Sequence, residues 1–325
     1  MTKLIYKAFI LAFMAISCSI SADQLDDSYV LGFGSCITEK RDQPIWKAIE
    51  KDNINEFFFM GDNVYGDSKD GLLKEMEISY MKQKDMFPKW LYTKKLNAIW
   101  DDHDYGLNDA GENYLYKAES QKIYNNAWKI NQNDPRRTRE GIYFSELKII
   151  NEKKVLFVGL DTRYFRSNLI KIGDTYKPHK NLNTTVLGPI QWDWLKKQVN
   201  KEHDILVLAS SIQVLATEHR FEKWANFPHE RDTLLELLYN LDSNILIISG
   251  DRHRAGFYRK DNIYEFTSSS LNKGIFPYYE TDALLIGDTY TQNNYGIIEF
   301  HGESLQLFIK DENMNVLESL EIPLK

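Results

Sequence analysis

The chain has 325 residues, of which 43% are hydrophobic, and it carries a formal net charge of −7. This length and apolar content suffice for the core of one large domain or two small ones and disfavour a disordered chain, and the 13% of aromatic residues favours a packed α/β protein over a helical bundle or coiled coil. The acidic balance disfavours nucleic-acid binding, because affinity for phosphate backbones comes from lysine and arginine.

The first 22 residues predict an export signal. Lys3 and Lys7 precede an unbroken apolar run at residues 8–16, and small residues follow as far as Ala22. The apolar run is much shorter than the roughly 20 residues that a membrane helix needs. We therefore expect cleavage after Ala22 and a periplasmic or extracellular protein without a transmembrane segment.

Lipoprotein processing at Cys18 is the alternative to cleavage after Ala22. Ala15 stands where lipoprotein signals usually carry leucine, so this route ranks second. Cleavage after Ala22 would leave Cys36 as the only cysteine and would exclude an intrachain disulfide. A lone cysteine is by itself more often a small buried apolar group than a reactive one.

Short apolar runs rich in β-branched and aromatic residues predict buried strands. They lie at residues 29–33, 56–60, 96–100, 155–160, 205–209, 245–248 and 263–266. Amphipathic stretches at residues 44–51, 72–84, 114–126, 189–200 and 230–240 predict helices between several of them. This order is typical of an α/β fold.

The end of the chain predicts a hairpin. Two apolar runs, at residues 296–300 and 305–309, flank a short polar connection around Gly302, which indicates that the sheets are mixed. Polar residues at 131–141 and 171–185 predict surface loops. Without a repeat or a Pro/Gly/Ser-rich linker, residues 23–325 are expected to form a single domain.

Residues of metal-ligand type follow four of the predicted strands. They occur in Gly34-Ser35-Cys36, in Gly61-Asp62-Asn63-Val64-Tyr65-Gly66-Asp67, in the segment from Asp101 to Asp109, and in Gly250-Asp251-Arg252-His253. The carboxyl ends of strands border the ligand crevice of open α/β sheets, so these loops can converge. A single Gly-Asp pair usually marks only a turn, but its repetition after several strands favours a metal site.

The donor types suggest two unlike metals. Carboxylate, phenolate and thiolate groups suit a trivalent or strongly Lewis-acidic ion, whereas aspartate and asparagine oxygens suit a harder ion such as Ca²⁺. An aspartate can bridge two ions through its two oxygens. Such metal pairs stabilise the attacking and leaving oxygens of phosphoryl displacement.

Together, these motifs resemble the PhoD-like alkaline phosphatases, a branch of the calcineurin-like metallophosphoesterases. The matching segments are Gly-Ser-Cys, Gly-Asp-x-x-Tyr, Trp-Asp-Asp-His-Asp followed by Asn, Leu-Asp-Thr-Arg and Ser-Gly-Asp-Arg-His, in that order from Gly34 to His253. The resemblance implies a layered sandwich of two mixed β-sheets flanked by helices. It also implies hydrolysis of phosphate esters with a metal-activated water or oxide as the nucleophile.

The resemblance further implies a role for individual residues. Fe³⁺ would be bound by Cys36, Asp62, Tyr65 and Asp251, together with His253. Asp62 would bridge to Ca²⁺, with Asn108 as a further ligand of that ion. His103, Asp101 and Asp102 would lie on the side of the site that faces the substrate. For Asp101, the pattern fits a purely structural role equally well.

Two arginines are predicted to bind phosphate, because a planar guanidinium presents two parallel donors. They are Arg252 and Arg163, and ion pairing with nearby acids is the alternative, especially for Arg163. The substrate could be a small-molecule, lipid or polymeric phosphate ester. A non-catalytic metal-stabilised binding protein is the main alternative function. A glycosidase using Asp102 with Asp104 is another, but it would leave Cys36 and Tyr65 unexplained.

Overall fold

Two mixed β-sheets form the centre of the protein in a computed structural model, which describes residues 29–275 and 277–325. The predicted export signal at residues 1–22, including Cys18, lies outside the described residues. The strands are β1 (Tyr29–Gly34), β2 (Glu56–Met60), β3 (Lys95–Ile99), β4 (Phe144–Ile150), β5 (Lys153–Gly159), β6 (Ile170–Ile172), β7 (Thr175–Lys177), β8 (Ile205–Ser210), β9 (Asn244–Ser249), β10 (Ala255–Lys260), β11 (Ile263–Ser268), β12 (Leu285–Tyr290), β13 (Asn294–Phe300), β14 (Ser304–Asp311) and β15 (Val316–Pro323). The helices are α1 (Trp46–Lys51), α2 (Met76–Met86), α3 (Asp102–Tyr105), α4 (Lys117–Ala127), α5 (Gly188–Val199) and α6 (Pro228–Tyr239).

Both sheets combine parallel and antiparallel strands: the six-stranded sheet is parallel at its β3 edge and antiparallel at its β15 edge, and the seven-stranded sheet is antiparallel at both edges. The six-stranded sheet has the order β15-β14-β13-β1-β2-β3, in which β1, β2 and β3 are parallel. The seven-stranded sheet has the order β12-β10-β11-β9-β8-β5-β4, in which β5, β8, β9 and β11 are parallel. The carboxyl ends of these parallel strands are where a ligand crevice is expected.

The main core lies between the two sheets. Phe33 of the first sheet contacts Phe266 of the second edge to face, with ring centroids 4.7 Å apart. Side chains alternate along a strand, so Phe58 faces the second sheet while its neighbours Phe57 and Phe59 contact Trp46 of α1. A second apolar cluster lies between the outer face of the seven-stranded sheet and helices α5 and α6.

This arrangement confirms the predicted sandwich of two mixed sheets. The predicted strand at residues 56–60 coincides with β2, and the terminal hairpin is formed by β13 and β14. Four strands of the large sheets were missed: β4, β10, β12 and β15. Both β4 and β15 are edge strands with mostly exposed or half-buried residues, so they lack the continuous apolar run of a buried strand.

The surface loop predicted at residues 171–185 is only partly a loop. Its first residues belong to β6 and β7, which pair antiparallel as a hairpin at the surface. No helix among residues 29–275 and 277–325 combines the length and apolar character needed to cross a bilayer.

Candidate active site

The loops that follow β1, β2, β3 and β9 meet at one end of the two sheets. Their approach is so close that glycine is required at two positions. A Cβ atom on Gly61 would lie 2.5 Å from the Cβ atom of Asp101, and one on Gly250 would lie 2.6 Å from Ser35 Oγ. Segments distant in sequence therefore converge as predicted.

Four of the predicted metal ligands have an unusual backbone conformation. The φ angle is 57° at Cys36, 50° at Asp62, 65° at Asp251 and 51° at His253. Residues with a Cβ atom seldom adopt positive φ, and such conformations cluster at functional sites. Here the left-handed turns directly after the strands direct these side chains into one region.

The first group of potential metal ligands contains Cys36, Asp62 and His253, whose ligand atoms all lie within 4.8 Å of one another. Tyr65 adjoins the group, because its hydroxyl donates a hydrogen bond of 2.8 Å to Asp62 Oδ2. Ser269 also joins it, accepting from the His253 backbone N–H at 3.0 Å and lying 3.2 Å from the Cys36 sulfur.

The electrostatics of this group suit a bound cation. Burial, followed by the charge of Asp62, raises the pKa of both Cys36 and Tyr65 well above the usual values. Burial lowers the pKa of His253 to about 4, and its Nδ1 lies 2.5 Å from the carbonyl oxygen of Lys273. A neutral imidazole donating from Nδ1 leaves the Nε2 lone pair available to a metal.

Two further groups overlap the first. Asp62, Asp102 and His103 form one, and Asp101, Asp102 and Asp251 form the other, each with ligand atoms within 4.8 Å of one another. Burial and then the charge of Asp102 raise the pKa of Asp251 well above its usual value. Asp102 Oδ1 is buried without a hydrogen-bond partner among the described residues. Such closely spaced carboxylates require a cation or a proton.

His103 is held at the edge of these groups. Its Nδ1 lies 2.8 Å from Asp67 Oδ1, and its ring centroid is 4.2 Å from that of Tyr65. Burial lowers the pKa of His103, but the charges of Asp102 and Asp62 outweigh this effect and raise it to about 10. In the absence of metal, the imidazole is therefore protonated at neutral pH.

The two arginines predicted to bind phosphate occupy different positions. Arg163 is completely buried, with its Nε 2.6 Å from Asp101 Oδ1 and its Nη1 2.6 Å from Glu222 Oε2. Arg163 does not line the cavity that opens beside the ligand groups, and its guanidinium instead forms an ion pair with Asp101. Arg252 does line that cavity, and its Nη2 donates to both oxygens of Glu280 at 2.8 and 2.9 Å.

A cavity of about 500 Å³ opens beside the ligand groups. Its wall contains seven of the predicted site residues: Asp62, Asp102, His103, Asn108, Asp251, Arg252 and His253. Cys36 and Tyr65 lie behind Asp62 and are not part of the wall. Asn108 is exposed, and its amide donates to Asp109 Oδ2 at 2.6 Å. Asp104 is buried against Asn63, away from the wall, which disfavours its use with Asp102 as a glycosidase pair.

Some functional positions were not identified from the sequence. The sequence places Asp67 only within a loop, whereas in the structure its carboxylate contacts the imidazole of His103. Ser269 and Lys273 follow β11, where no motif pointed to them. The opposite wall of the cavity contains Lys171, Tyr176, Arg220 and Phe221, which the β6–β7 hairpin and the segment before α6 bring to the site.

Comparisons with known proteins agree with this geometry. The family model described as "PhoD-like phosphatase" matches residues 96–304. The solved structure of PhoD is 16% identical, with a TM-score of 0.68, and the match covers 91% of this chain and 68% of PhoD. The chain is also similar to purple acid phosphatase PPD1 from yellow lupin (Lupinus luteus) seeds, at 11% identity and a TM-score of 0.64, over 91% of this chain and 54% of that one.

GAP50, the anchor in the inner membrane complex of Plasmodium, has the same fold at 12% identity and a TM-score of 0.63, covering 92% of this chain and 89% of GAP50. At these identities the structural likenesses establish the fold alone. No curated protein matches the sequence. The family model, however, covers more than half of the chain. The protein therefore belongs to the PhoD-like phosphatases and is a hydrolase of phosphoric esters that is expected to require metal ions.

Proposed function

We propose that this protein hydrolyses phosphate monoesters or diesters with two metal ions bound by the loops at the strand ends. The observation that carries the proposal is the overlap of the three ligand groups. Asp62 belongs to two of them, and Asp102 also belongs to two. Shared carboxylates are typical of sites in which neighbouring ions act together on one phosphoryl group.

The first ion is proposed to be Fe³⁺, bound by Cys36, Asp62, Tyr65 and His253. The donor set supports this choice, because a phenol and a thiol with raised pKa values need a strongly acidic metal to bind as anions. The second ion is proposed to be Ca²⁺, which prefers the oxygen donors that Asp62, Asp102 and Asn108 supply. Asp251 lies with Asp101 and Asp102, so we assign it to the second ion rather than to the first.

The side chains around the cavity have separate roles in this proposal. Bound metal ions would supply Lewis acidity, activating a water and neutralising charge on the phosphoryl oxygens. His103 would donate a hydrogen bond to the phosphoryl or leaving oxygen, with its orientation set by Asp67. Arg252 would bind a phosphoryl oxygen of the substrate after its guanidinium releases the carboxylate of Glu280. Arg163 would keep Asp101 in position without touching substrate.

The substrate is proposed to be a small, lipid or polymeric phosphate ester. The cavity of about 500 Å³ beside the ligand groups can accommodate the phosphate group of such an ester. We also propose that the protein acts outside the cytoplasm, from the order of charged, apolar and small residues in 1–22. Intact-mass measurement tests the export proposal, since a mature chain starting at Asp23 supports it and active cellular protein retaining Met1 would contradict it.

The activity is tested on protein purified from its native compartment without chelators. Metal content is measured by elemental analysis, and turnover is measured with p-nitrophenyl phosphate and bis(p-nitrophenyl) phosphate. We expect stoichiometric metal and hydrolysis of at least one ester, both lost after dialysis against a chelator and recovered when metal is returned. Protein that retains full metal but turns over neither ester would favour the alternative, a metal-stabilised binding protein.

A further inference from the structure

A fifth loop at the strand ends, residues 269–273, follows β11. Because β11 is parallel to β9, this loop begins at the same edge of the sheet as the loop after β9. It is attached to the loop after β1, where the Leu271 N–H donates to Ser35 O at 3.0 Å. The Asn272 side chain adds two hydrogen bonds with the backbone of Thr38, accepting from its N–H at 2.7 Å and donating to its carbonyl oxygen at 2.9 Å. These bonds fix the backbone at the end of the fifth loop.

Lys273, the last residue of this loop, contacts two of the proposed metal ligands. Its Nζ lies 3.2 Å from the centroid of the Tyr65 ring. No other ammonium or guanidinium group of the described residues lies as close to an aromatic ring. The carbonyl oxygen of Lys273 accepts a hydrogen bond from His253 Nδ1 at 2.5 Å. One residue thus contacts two ligands, through its side chain and through its backbone.

The ring of Tyr65, rather than a carboxylate, is the partner of this ammonium. Lys273 forms no ion pair with an acid among residues 29–275 and 277–325. The face of an aromatic ring attracts a cation, and a ring that carries negative charge attracts it more strongly. The contact therefore favours Tyr65 as the phenolate that a metal would bind. Lys273 does not line the cavity beside the ligand groups, so it acts on the ligand rather than on the substrate.

We propose that Lys273 is a positioning residue for the ion that Cys36, Asp62, Tyr65 and His253 would bind. Its ammonium stabilises Tyr65 as a metal-bound phenolate, and its carbonyl oxygen holds the imidazole of His253 with Nε2 free for the ion. This inference rests on the first metal site proposed above, but its tests need neither substrate nor turnover.

The release of metal into excess chelator, followed by elemental analysis, tests the role of the ammonium. Lys273→Met removes the charge but keeps an unbranched side chain and the backbone carbonyl. Its metal should be released about threefold to tenfold faster than that of the unchanged protein, as expected for the loss of one partly buried cation–π contact. Lys273→Arg should release metal at nearly the unchanged rate, because a guanidinium also binds to the face of an aromatic ring.

Lys40→Gln is the matched control. Lys40 also contacts Tyr65, but its Nζ donates to the Tyr65 carbonyl oxygen at 2.6 Å and does not lie on the ring. Removing this ammonium should therefore leave the rate of metal release close to that of the unchanged protein.

The visible absorption band expected for a bound Fe³⁺ provides a readout that a purely structural role would not move. Charge transfer from the phenolate to the ion moves negative charge away from the ammonium on the ring, so loss of the ammonium lowers the energy of the transition. Lys273→Met should shift the band to longer wavelength, whereas Lys273→Arg and Lys40→Gln should leave it in place. Circular dichroism checks the fold of each variant, and Lys273→Gln replaces Lys273→Met if the latter does not fold.

Unchanged metal release in a folded Lys273→Met variant would overturn the proposal. So would equal acceleration in Lys273→Met and Lys273→Arg, because packing rather than charge would then explain the effect. In a colourless protein the release measurement decides by itself. Normal turnover combined with unchanged release in Lys273→Met would refute this inference and leave the proposed hydrolysis standing. A metal-loaded protein that turns over no ester, yet releases metal faster as Lys273→Met, would refute the hydrolysis alone.

Discussion

Asp62 connects two of the three ligand groups. Its Oδ2 accepts from Tyr65, and its Oδ1 accepts from the His103 backbone N–H at 3.3 Å. An amide offers one neutral oxygen where the carboxylate offers two charged ones. We therefore expect Asp62→Asn to lower kcat by roughly a thousandfold, as does loss of a principal electrostatic group elsewhere.

Turnover and metal content of Asp62→Asn, measured together, test this prediction. Asp193→Asn is the matched control, since Asp193 is an exposed aspartate on α5 that does not line the cavity beside the ligand groups. It should behave like the unchanged protein. Near-normal turnover of Asp62→Asn with full metal content would rule out Asp62 as the shared ligand.

If Fe³⁺ is bound by Tyr65 and Cys36, the protein should be coloured. Phenolate and thiolate bound to Fe³⁺ give charge-transfer absorption, so the protein as isolated should absorb visible light. Tyr65→Phe should shift or bleach the band, and Cys36→Ser should reduce the iron retained through purification. Absorption spectra and elemental analysis of the same samples provide the measurement. Colourless, fully active protein containing only zinc or calcium would disprove the iron assignment but not the phosphoesterase activity.

At the level of elements, the turn after β2 depends on a glycine. Gly61 has a φ of 96°, and an added Cβ would lie 2.5 Å from Asp101 Cβ and 2.7 Å from the Asp101 backbone nitrogen. Gly61→Ala should therefore separate the loops after β2 and β3, weaken metal retention and destabilise the fold by about 1–3 kcal/mol. Gly302→Ala, in the connection between β13 and β14, is the control, since nothing lies within 4 Å of its added Cβ.

Thermal denaturation and metal analysis of the two glycine variants show whether the effect is specific to Gly61 or common to any glycine replaced by alanine. Gly302→Ala should retain its metal. If Gly61→Ala kept both its metal and its thermal stability, the close approach of the two loops would not be a requirement of the site.

For the whole molecule, the buried acids predict how the stability of the metal-free protein depends on pH. Burial raises the pKa of Asp104 to about 8, and acids next to His103 raise its pKa to about 10 against the effect of burial. Between pH 6.5 and 8 the folded chain thus holds protons that the unfolded chain has released. Its free energy of unfolding should fall as the pH rises, by roughly 1.4 kcal/mol per pH unit for each fully protonated group.

Urea unfolding of the metal-free protein at pH 6.5 and pH 8 measures this dependence. Burial lowers the pKa values of His219 and His253 and lowers that of Lys223 to about 8, and these three groups oppose the trend only near the edges of the window. Added metal should flatten the dependence, because a bound cation lowers the pKa of nearby acids. A metal-free protein that becomes more stable between these two pH values would contradict the proposed charge distribution.

Several features of this protein follow from local sequence alone. The buried strands β1, β2, β8 and β9 were predicted because a strand covered on both faces needs a continuous apolar run, which is visible without knowledge of the fold. The polar residues after these strands were predicted to converge because parallel strands share a carboxyl edge. The motifs from Gly34 to His253 were sufficient to identify the family, which the family model confirmed.

Other features were decided only by tertiary structure, because they depend on contacts between distant segments. Arg163 and Arg252 look alike in sequence, but Glu222 and Asp101 enclose the first, whereas the second lines the cavity. The edge strands β4 and β15 have one partner strand each and carry no continuous apolar signal. The cavity beside the ligand groups likewise exists only when the β6–β7 hairpin and the segment before α6 lie next to the strand-end loops, because residues distant in sequence together form its wall.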